Sequence, residues 1–120
     1  MHALIIEDET LIAMSIEDIL TECGFTSFDV VSSAEQAIAA ARLRCPALIT
    51  ADVRLNPGSG IDAVAEICSG PPVPVVFITG SPAEVVNRMP RHPLIVKPFT
   101  KEAVSRAVLL ALATSKEAKL

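Results

Sequence analysis

The chain has 120 residues, a length typical of one domain with its own hydrophobic core. Its apolar fraction is 51%, yet the sequence contains no run of eighteen or more apolar residues, which argues against a transmembrane helix. The net charge is −4, the ten Lys and Arg residues form no stripe in the sequence, and Trp and Tyr are absent. Neither a nucleic acid nor a membrane is therefore an expected partner.

The cysteines and the amino terminus indicate a cellular compartment. The three cysteines, Cys23, Cys45 and Cys68, form no Cys-x-x-Cys pair and have few histidines near them in the sequence. We expect them to be small buried apolar residues rather than disulfide partners or zinc ligands. The segment Met1–Leu4 lacks the basic region of a signal peptide, so the expected location is the cytoplasm.

Strand-like and helix-like patterns alternate along the chain. Short apolar runs predict buried strands, and apolar residues at helical spacing predict the helices between them. The first half is predicted to contain a strand at Leu4–Ile6, a helix from Leu11 to Cys23, a strand at Phe28–Val31, a helix capped by Ser33 that ends before Pro46, and a strand at Ala47–Ala51.

The second half continues the alternation. After a turn cluster at 56–60 it is predicted to contain a helix from Ile61 to Cys68, a strand at Val73–Ile78, a short helix at Ala83–Arg88, a strand at Leu94–Val96, and a helix capped by Thr100 that runs through Leu112. Residues 115–120 are predicted to form a frayed polar tail, and no linker divides residues 1–120 into more than one domain.

The alternation of five strands with helices predicts the fold class. Repeated right-handed strand–helix–strand units give an α/β fold, in which a doubly wound parallel sheet is covered by helices on both faces. In such sheets ligands bind outside the carboxyl ends of the strands. The residues that follow each strand are therefore the candidates for a functional site.

Chemically reactive residues follow four of the five predicted strands. They are Glu7 and Asp8 after the first strand, Asp52 after the third, Thr79 after the fourth and Lys97 after the fifth. The fold would bring them to one edge of the sheet, where three carboxylates would repel each other unless cations compensate them. Lysine supplies one positive charge, and Mg²⁺ is the cation that best suits carboxylate ligands together with phosphate.

This combination of groups is typical of phosphoryl transfer. A carboxylate oxygen can attack the phosphorus, while a metal ion, an ammonium group and a hydroxyl group take up charge on the other phosphoryl oxygens. His2 and His92 are predicted to be surface residues that serve neither as phosphodonors nor as ligands.

The chain resembles the receiver domains of two-component response regulators over nearly its whole length, with Lys97-Pro98-Phe99 as a strong mark of that family. The resemblance implies a CheY-like or flavodoxin-like sheet with the strand order 2-1-3-4-5. It implies that a partner histidine kinase phosphorylates Asp52, that Thr79 and Lys97 contact the phosphoryl group, and that an unknown protein binds downstream. It also implies a Mg²⁺ site formed by Asp8 and Asp52 directly, by Glu7 through water and by the backbone carbonyl of Arg54.

The resemblance extends to further details of the site. It implies that the Lys97–Pro98 peptide bond is cis, that Gly60 begins the third helix, and that Gly80 leaves space above the phosphoryl group. Slow autodephosphorylation would be a side activity of a switch rather than the work of an enzyme. The expected state is a monomer whose association is linked to phosphorylation.

A narrower resemblance points to one subgroup. The segments at 58–67, 72–80 and 93–99 are similar to the receivers of general-stress-response regulators of alphaproteobacteria and to stand-alone receivers with a Phe-x-Thr-Gly signature. The chain departs from the common pattern at Leu94, where the family usually has an aromatic residue. The short helix at 83–88 and the late proline, Pro57, are further departures.

Three alternatives to a phosphorylated switch remain at this stage. The first is a receiver fold that binds partners without phosphorylation. A Mg²⁺ phosphohydrolase would need an acid or base two residues after the nucleophile, where this chain has Arg54. A flavin-binding protein would need Trp or Tyr to stack on the flavin ring and a phosphate loop rich in Ser and Thr, and the sequence has neither.

Overall fold

The computed structural model describes residues 1–118, with side chains through Thr114. Five strands alternate with five helices along the described chain. In order they are β1 (His2–Ile6), α1 (Thr10–Glu22), β2 (Ser27–Val31), α2 (Ala34–Leu43), β3 (Leu48–Ala51), α3 (Gly60–Ile67), β4 (Val75–Thr79), α4 (Ala83–Arg88), β5 (Leu94–Val96) and α5 (Lys101–Ala118).

The strands form one parallel sheet in the order β2-β1-β3-β4-β5, which confirms the predicted fold class and strand order. Side chains of β1 alternate between the two faces, as the two-residue period of a strand requires. Ala3 and Ile5 belong to the hydrophobic cluster that includes residues of α1 and α5, whereas Leu4 and Ile6 belong to the cluster that includes residues of α2 and α3. The sheet is therefore buried on both faces.

Several element boundaries differ from the prediction, and the differences at β4 and at the end of α5 have identifiable reasons. The fourth strand begins at Val75 rather than Val73 and extends through Thr79, which pairs with Val96. Pro74 precedes the observed strand, and proline has no N–H to donate to a neighbouring strand. The predicted frayed tail is wrong over 115–118, because α5 continues through Ala118. These four residues include neither Gly nor Pro to stop the helix, and residues 119–120 lie outside the described chain.

The prediction that His2 is a surface residue is wrong. His2 is only 7% exposed, because it lies in β1 and its ring is held by two side chains of β2. Its Nδ1 is 2.7 Å from the Ser27 Oγ, and its Nε2 is 2.9 Å from the Asp29 Oδ2. Arg44 also donates to the Ser27 Oγ, at 2.9 Å. Both ring nitrogens thus have partners, which makes burial of the imidazole acceptable.

His92 and the cysteines also differ from the expectation. His92 is half-buried, with its ring edge-on to that of Phe77 at a centroid distance of 5.8 Å. Burial lowers the pKa of His92 below its ordinary value of 6.5. Cys45 is exposed, because it lies in the connection after α2, whereas Cys23 and Cys68 are half-buried. All three thiols are free.

None of the helices over residues 1–118 has the length and apolar character needed to cross a membrane.

Candidate functional site

Asp52 lies at the carboxyl end of the central strand β3, and hydrogen bonds to neighbouring backbone groups hold it in place. All four residues of β3 are buried, and Asp52 itself is 8% exposed. Its N–H donates to the Ile6 carbonyl of β1 at 3.0 Å, and its Oδ1 accepts a hydrogen bond from the Val53 N–H at 2.7 Å. These two hydrogen bonds fix Asp52 at the carboxyl edge of the sheet.

Gly60, the first residue of α3, packs directly behind Asp52. Its N–H donates to the Val53 carbonyl at 2.9 Å. A Cβ at this position would lie 1.7 Å from the carbonyl oxygen of Asp52, which is far inside van der Waals contact. Only glycine permits this approach, so the start of α3 packs closely against the end of β3.

Three carboxylates form a cluster around this strand end. Oxygens of Glu7, Asp8 and Asp52 all lie within 4.8 Å of one another. Glu7 is 3% exposed, whereas Asp8 faces solvent. The Glu7 Oε2 accepts a hydrogen bond from the Glu9 N–H at 3.1 Å. Such a set of oxygen donors, partly open to solvent, suits a hard divalent cation that keeps several of its waters.

Lys97 bridges the two buried carboxylates. Its Nζ donates to the Glu7 Oε1 at 2.6 Å and to the Asp52 Oδ2 at 2.8 Å. Burial raises the pKa of Glu7 above its ordinary value of 4.5, although the hydrogen bonds from Lys97 and Glu9 oppose this effect. Burial alone would lower the pKa of Lys97, but its bonds to Asp52 and Glu7 outweigh that effect and raise it above 10.5. Lys97 is therefore a cation at neutral pH.

Thr79 lies at the same edge of the sheet, at the end of β4. In the β3–β4 register Ala51 pairs with Phe77, so Thr79 and Asp52 both follow that pair toward the carboxyl ends of their strands. Thr79 is fully buried, and its Oγ1 accepts a hydrogen bond from the Ser81 N–H at 3.0 Å. Its backbone carbonyl accepts from the Lys97 N–H at 2.9 Å. The Thr79 hydroxyl therefore keeps its own proton available for donation to an oxygen at the site.

A cleft adjoins the acidic cluster on the α1 side. It has a volume of about 370 Å³ and lies between α1 and the β2–α2 segment. Glu7 and Asp8 line one part of it, and Met14, Val30 and Gln36 line other parts. The cluster is thus accessible from solvent rather than enclosed.

The comparison with known families agrees with this geometry. Residues 3–109 match the model of the response regulator receiver domain. The chain belongs to this family.

Several relatives of this receiver are regulators. The phyllosphere-induced regulator PhyR of Methylorubrum extorquens is 39% identical over 113 residues, which cover 91% of this chain and 42% of PhyR. The transcriptional regulatory protein PdtaR of Mycobacterium tuberculosis is 33% identical over 120 residues, which cover 97% of this chain and 58% of PdtaR. This receiver thus spans about half the length of these curated relatives.

Solved structures support the narrower resemblance. The receiver domain of PhyR from Erythrobacter litoralis is 36% identical, with a TM-score of 0.86 over 93% of this chain and 89% of that one. PhyR from Brucella abortus is 34% identical, with a TM-score of 0.83 over 98% of this chain and 49% of that one. The predicted similarity to the PhyR-like subgroup is therefore confirmed.

The structure brings together most of the predicted site residues of this receiver. Lys97 contacts Glu7 and Asp52, carboxylate oxygens of Glu7, Asp8 and Asp52 lie within 4.8 Å of one another, and Thr79 reaches the same edge. The Arg54 side chain is exposed, and its backbone pairs with Ser59 in an isolated antiparallel bridge. A role for the Arg54 carbonyl as a ligand remains a prediction.

One further family feature appears as predicted, and one departure from the family pattern is visible in the structure. The Lys97–Pro98 bond is cis. Leu94, at the usual aromatic position, is half-buried, pairs with Phe77 in the sheet and packs against the α2–α3 cluster.

Sequence reasoning missed the backbone groups that hold the site and one peptide bond. The N–H groups of Val53, Glu9 and Ser81 fix the three side chains that follow the strands, and no residue type signals such a donor. The Asn56–Pro57 bond is also cis. Cis bonds before proline are infrequent, and nothing else in the sequence predicts this one.

Proposed function

We propose that this receiver is a phosphorylation-dependent switch whose phosphoacceptor is Asp52 and whose donor is a phosphohistidine on a partner histidine kinase. The observation that carries the proposal is the position of Asp52. Its carboxylate lies between the ammonium group of Lys97, at 2.8 Å, and the carboxylates of Glu7 and Asp8.

The donor set fits Mg²⁺. Three carboxylates with oxygens inside 4.8 Å carry more negative charge than Lys97 alone can offset. Asp8 and Asp52 would hold the ion directly, Glu7 would act through water, and the Arg54 carbonyl would complete the protein ligands. When bound, Mg²⁺ supplies charge neutralisation on the transferring phosphoryl group.

The remaining chemistry belongs to the side chains of the chain itself. A carboxylate oxygen of Asp52 forms the new bond to phosphorus as the phosphorus–nitrogen bond of the donor breaks, and the imidazole leaves. The Lys97 ammonium group shifts part of its hydrogen bonding from Asp52 to a phosphoryl oxygen. Its positive charge then offsets the negative charge of the phosphoryl group. Its bond to Glu7 at 2.6 Å holds the ammonium group in place during this exchange.

Thr79 would convert the chemical event into a conformational one. Its hydroxyl donates to a phosphoryl oxygen, which pulls the β4–α4 connection toward the site. A Cβ at Gly80 would meet no heavy atom within 4 Å in the described residues, so the space beside Thr79 is open. The conformations before and after phosphorylation are two states in equilibrium. A partner protein shifts their populations only to the extent that it binds the two with different affinity.

The wider setting follows from the family resemblance. We place this switch in the cytoplasm, in a stress-response pathway, with a protein as its downstream partner and with neither nucleic acid nor membrane as a target. Residues 1–120 would act as one receiver domain, monomeric before phosphorylation. Slow autodephosphorylation would accompany the switch, which is not a metabolic enzyme.

Phosphotransfer tests the proposal. The full chain is incubated with Mg²⁺ and either acetyl phosphate or candidate phosphorylated histidine kinases, and phosphorylated protein is resolved on a Phos-tag gel. We expect a shifted band for the wild type and none for Asp52→Asn. Asp8→Asn should lose most of the shift at low Mg²⁺.

A matched control distinguishes the site from a general loss of negative charge. Asp62→Asn removes an exposed carboxylate that pairs with Arg88 outside the site, and this variant should be phosphorylated like the wild type. A wild-type protein that stays unshifted with every donor would contradict the proposal and favour a receiver fold that binds partners without phosphorylation.

A further inference from the structure

Two of the three cysteines lie in neighbouring connections of the fold, at the edge of the sheet opposite the acidic site. Cys45 lies in the connection from α2 to β3, and Cys68 directly follows α3, in the connection that leads to β4. The strands β3 and β4 are adjacent and parallel. The chain therefore enters both strands at the same edge, and residues that are far apart in the sequence meet there.

Contacts between α2 and α3 hold these two connections together. Residues of both helices belong to one hydrophobic cluster. Near the carboxyl ends of the helices, the Arg42 Nη2 donates to the Glu66 Oε1 at 3.5 Å. Arg42 precedes Cys45 by three residues. Glu66 precedes Cys68 by two residues, so each cysteine lies within about one helical turn of this contact.

Both thiols adjoin the same cavity. It has a volume of about 280 Å³ and is lined by Cys45 and by both sequence neighbours of Cys68. The Cys45 Sγ donates to the Pro46 carbonyl at 3.8 Å, and the Cys68 Sγ donates to the Val73 carbonyl at 3.9 Å. Pro46 and Val73 also line this cavity. A thiol is a weak donor, so these bonds oppose rotation of the two side chains only weakly.

The two thiols differ in access. Cys45 is exposed, so an oxidant in solution reaches it first, whereas Cys68 is half-buried. Burial raises the pKa of Cys68 above its ordinary value of 9.0, the hydrogen bond to Val73 opposes this effect, and the proximity of Cys45 adds to it. Cys68 is therefore protected from direct oxidation but lies close to the thiol that is not.

We propose that Cys45 and Cys68 form a dithiol site that a hydroperoxide oxidises to a disulfide within the chain. The Cys45 sulfur attacks one peroxide oxygen, the oxygen–oxygen bond breaks, and a sulfenic acid and one water form from hydrogen peroxide. The Cys68 sulfur then attacks the Cys45 sulfur, the sulfur–oxygen bond breaks, and a second water leaves. Two thiols thereby lose two electrons and two protons, which reduce the peroxide to water.

The disulfide would join the end of α3 to the connection that precedes β3. A dithiol reductant reverses it by thiol–disulfide exchange, as is usual for disulfides that sense redox conditions in reducing compartments. The receiver would thus respond to a second chemical input, at the edge of the sheet away from Asp52. The inference does not rest on the proposed function.

Cys23 does not take part in this site. It packs against the hydrophobic cluster that includes residues of α1 and α5, whereas Cys68 packs against the cluster on the other face of the sheet. The Cys23 Sγ lies 3.8 Å from the Ser105 Oγ. Because the sheet separates Cys23 from the dithiol site, this cysteine serves as a matched control.

Controlled oxidation tests the inference. The full chain is reduced with dithiothreitol, desalted, treated with hydrogen peroxide, unfolded and alkylated with N-ethylmaleimide. We expect alkylation of one thiol rather than three in the wild type. Before alkylation, the mass of the monomer should fall by about 2 Da, for two hydrogen atoms, and dithiothreitol should restore it. Trypsin cleaves after Arg54 and places Cys45 and Cys68 in different peptides, so a peptide map identifies the linked pair.

Variants assign the roles of the two thiols. Cys45→Ser and Cys68→Ser should each abolish the disulfide within the chain, and Cys23→Ser should form it like the wild type. Cys68→Ser should also leave the Cys45 sulfenic acid without a partner thiol, so that dimedone labels it more strongly than in the wild type. Asp52→Asn should be oxidised like the wild type, because the acidic site takes no part. Circular dichroism of each variant checks that it folds.

Several results would overturn the inference. These are three alkylated thiols after peroxide treatment, a disulfide that persists in Cys45→Ser, a disulfide-linked dimer that is the main product and is unaffected by Cys68→Ser, or a sulfinic acid on Cys45 with a free Cys68 thiol. Phosphorylation of the reduced samples is followed on Phos-tag gels. Phosphorylated protein that forms no disulfide would remove the dithiol proposal and leave the switch, whereas disulfide formation without phosphorylation would do the reverse.

Discussion

Replacing Gly60 by Ala tests the close packing of α3 against the phosphoacceptor strand. In an unconstrained helix the change would stabilise by up to about 1 kcal/mol, because Ala has the higher helix propensity. Here the new Cβ would lie 1.7 Å from the Asp52 carbonyl oxygen, half of the 3.4 Å at which ordinary contact begins. The clash is with backbone, which cannot rotate away, so the start of α3 or the end of β3 must move.

The expected cost follows from these opposing effects. Overpacking of a well-packed site costs about 1–3 kcal/mol and sometimes more, and this contact belongs at the upper end of that range. We therefore expect Gly60→Ala to lower the free energy of unfolding by about 3 kcal/mol. Because stabilities of single domains are about 5–15 kcal/mol, the variant should still fold in the cold. Displacement of Asp52 should also slow its phosphorylation by acetyl phosphate.

Urea denaturation followed by far-UV circular dichroism measures the effect, since the chain has no Trp or Tyr for fluorescence. With a slope of about 1.5 kcal/mol per molar urea, the midpoint should fall by about 2 M. Gly70→Ala is the matched control, because a Cβ there meets nothing within 4 Å among the described residues and the backbone is not left-handed. The control should be neutral or slightly stabilising. A Gly60→Ala variant within about 1 kcal/mol of the wild type would refute the steric reasoning.

Three further predictions concern other buried polar groups. Lys97→Met leaves two buried carboxylates without their cation and should lower the free energy of unfolding by about 3 kcal/mol in the absence of Mg²⁺. Added Mg²⁺ should increase the stability of this variant more than it increases that of the wild type. Lys101→Met, at an exposed ion pair, is the control and should change stability little. Thr50→Val removes a buried hydroxyl that has no hydrogen-bond partner among the described residues, and should raise stability by about 1 kcal/mol in urea denaturation; a loss would show that the hydroxyl is satisfied. The lowered pKa of His92 means that the unfolded chain binds its proton more readily, so stability is complete above pH 6.5 and falls as the pH drops toward the folded-state pKa. His92→Gln should therefore show a smaller loss of stability between neutral and mildly acidic pH, and parallel curves would contradict the assignment.

The sequence allowed the fold and the location of the site to be predicted because both depend on short-range patterns. Apolar runs alternate with helical spacing, and parallel strands place their carboxyl ends together, so Asp52 and Lys97 had to approach one another. Which atoms meet was not predictable, because it depends on side-chain rotamers and backbone donors. The burial of His2 illustrates the same limit, since it depends on the register that sets His2 opposite Ser27.

Boundaries failed where a local signal was weak or was overridden. The end of α5 was placed too early because the change to polar residues suggested fraying, although polar residues such as Lys and Glu are good helix formers. Cys45 was expected inside on residue type alone, whereas its position in a connection decides its exposure.

The strand order accounts for the lengths of the side chains at the site. Asp52 follows β3, next to β1, so a short side chain there can meet the groups that follow β1. Lys97 follows β5, and β4 lies between β5 and β3, so its ammonium must cross about two strand spacings, roughly 10 Å, to reach Asp52. The four-carbon stem of lysine can contribute to that reach, and Gly80 beside the tip of β4 adds no side chain to the site. Glu7 is separated from β5 by one strand more, and a glutamate there extends one carbon further than an aspartate to meet the same ammonium at 2.6 Å. Shortening Glu7 to Asp should therefore weaken its bond to Lys97 while leaving the bond between Lys97 and Asp52 in place.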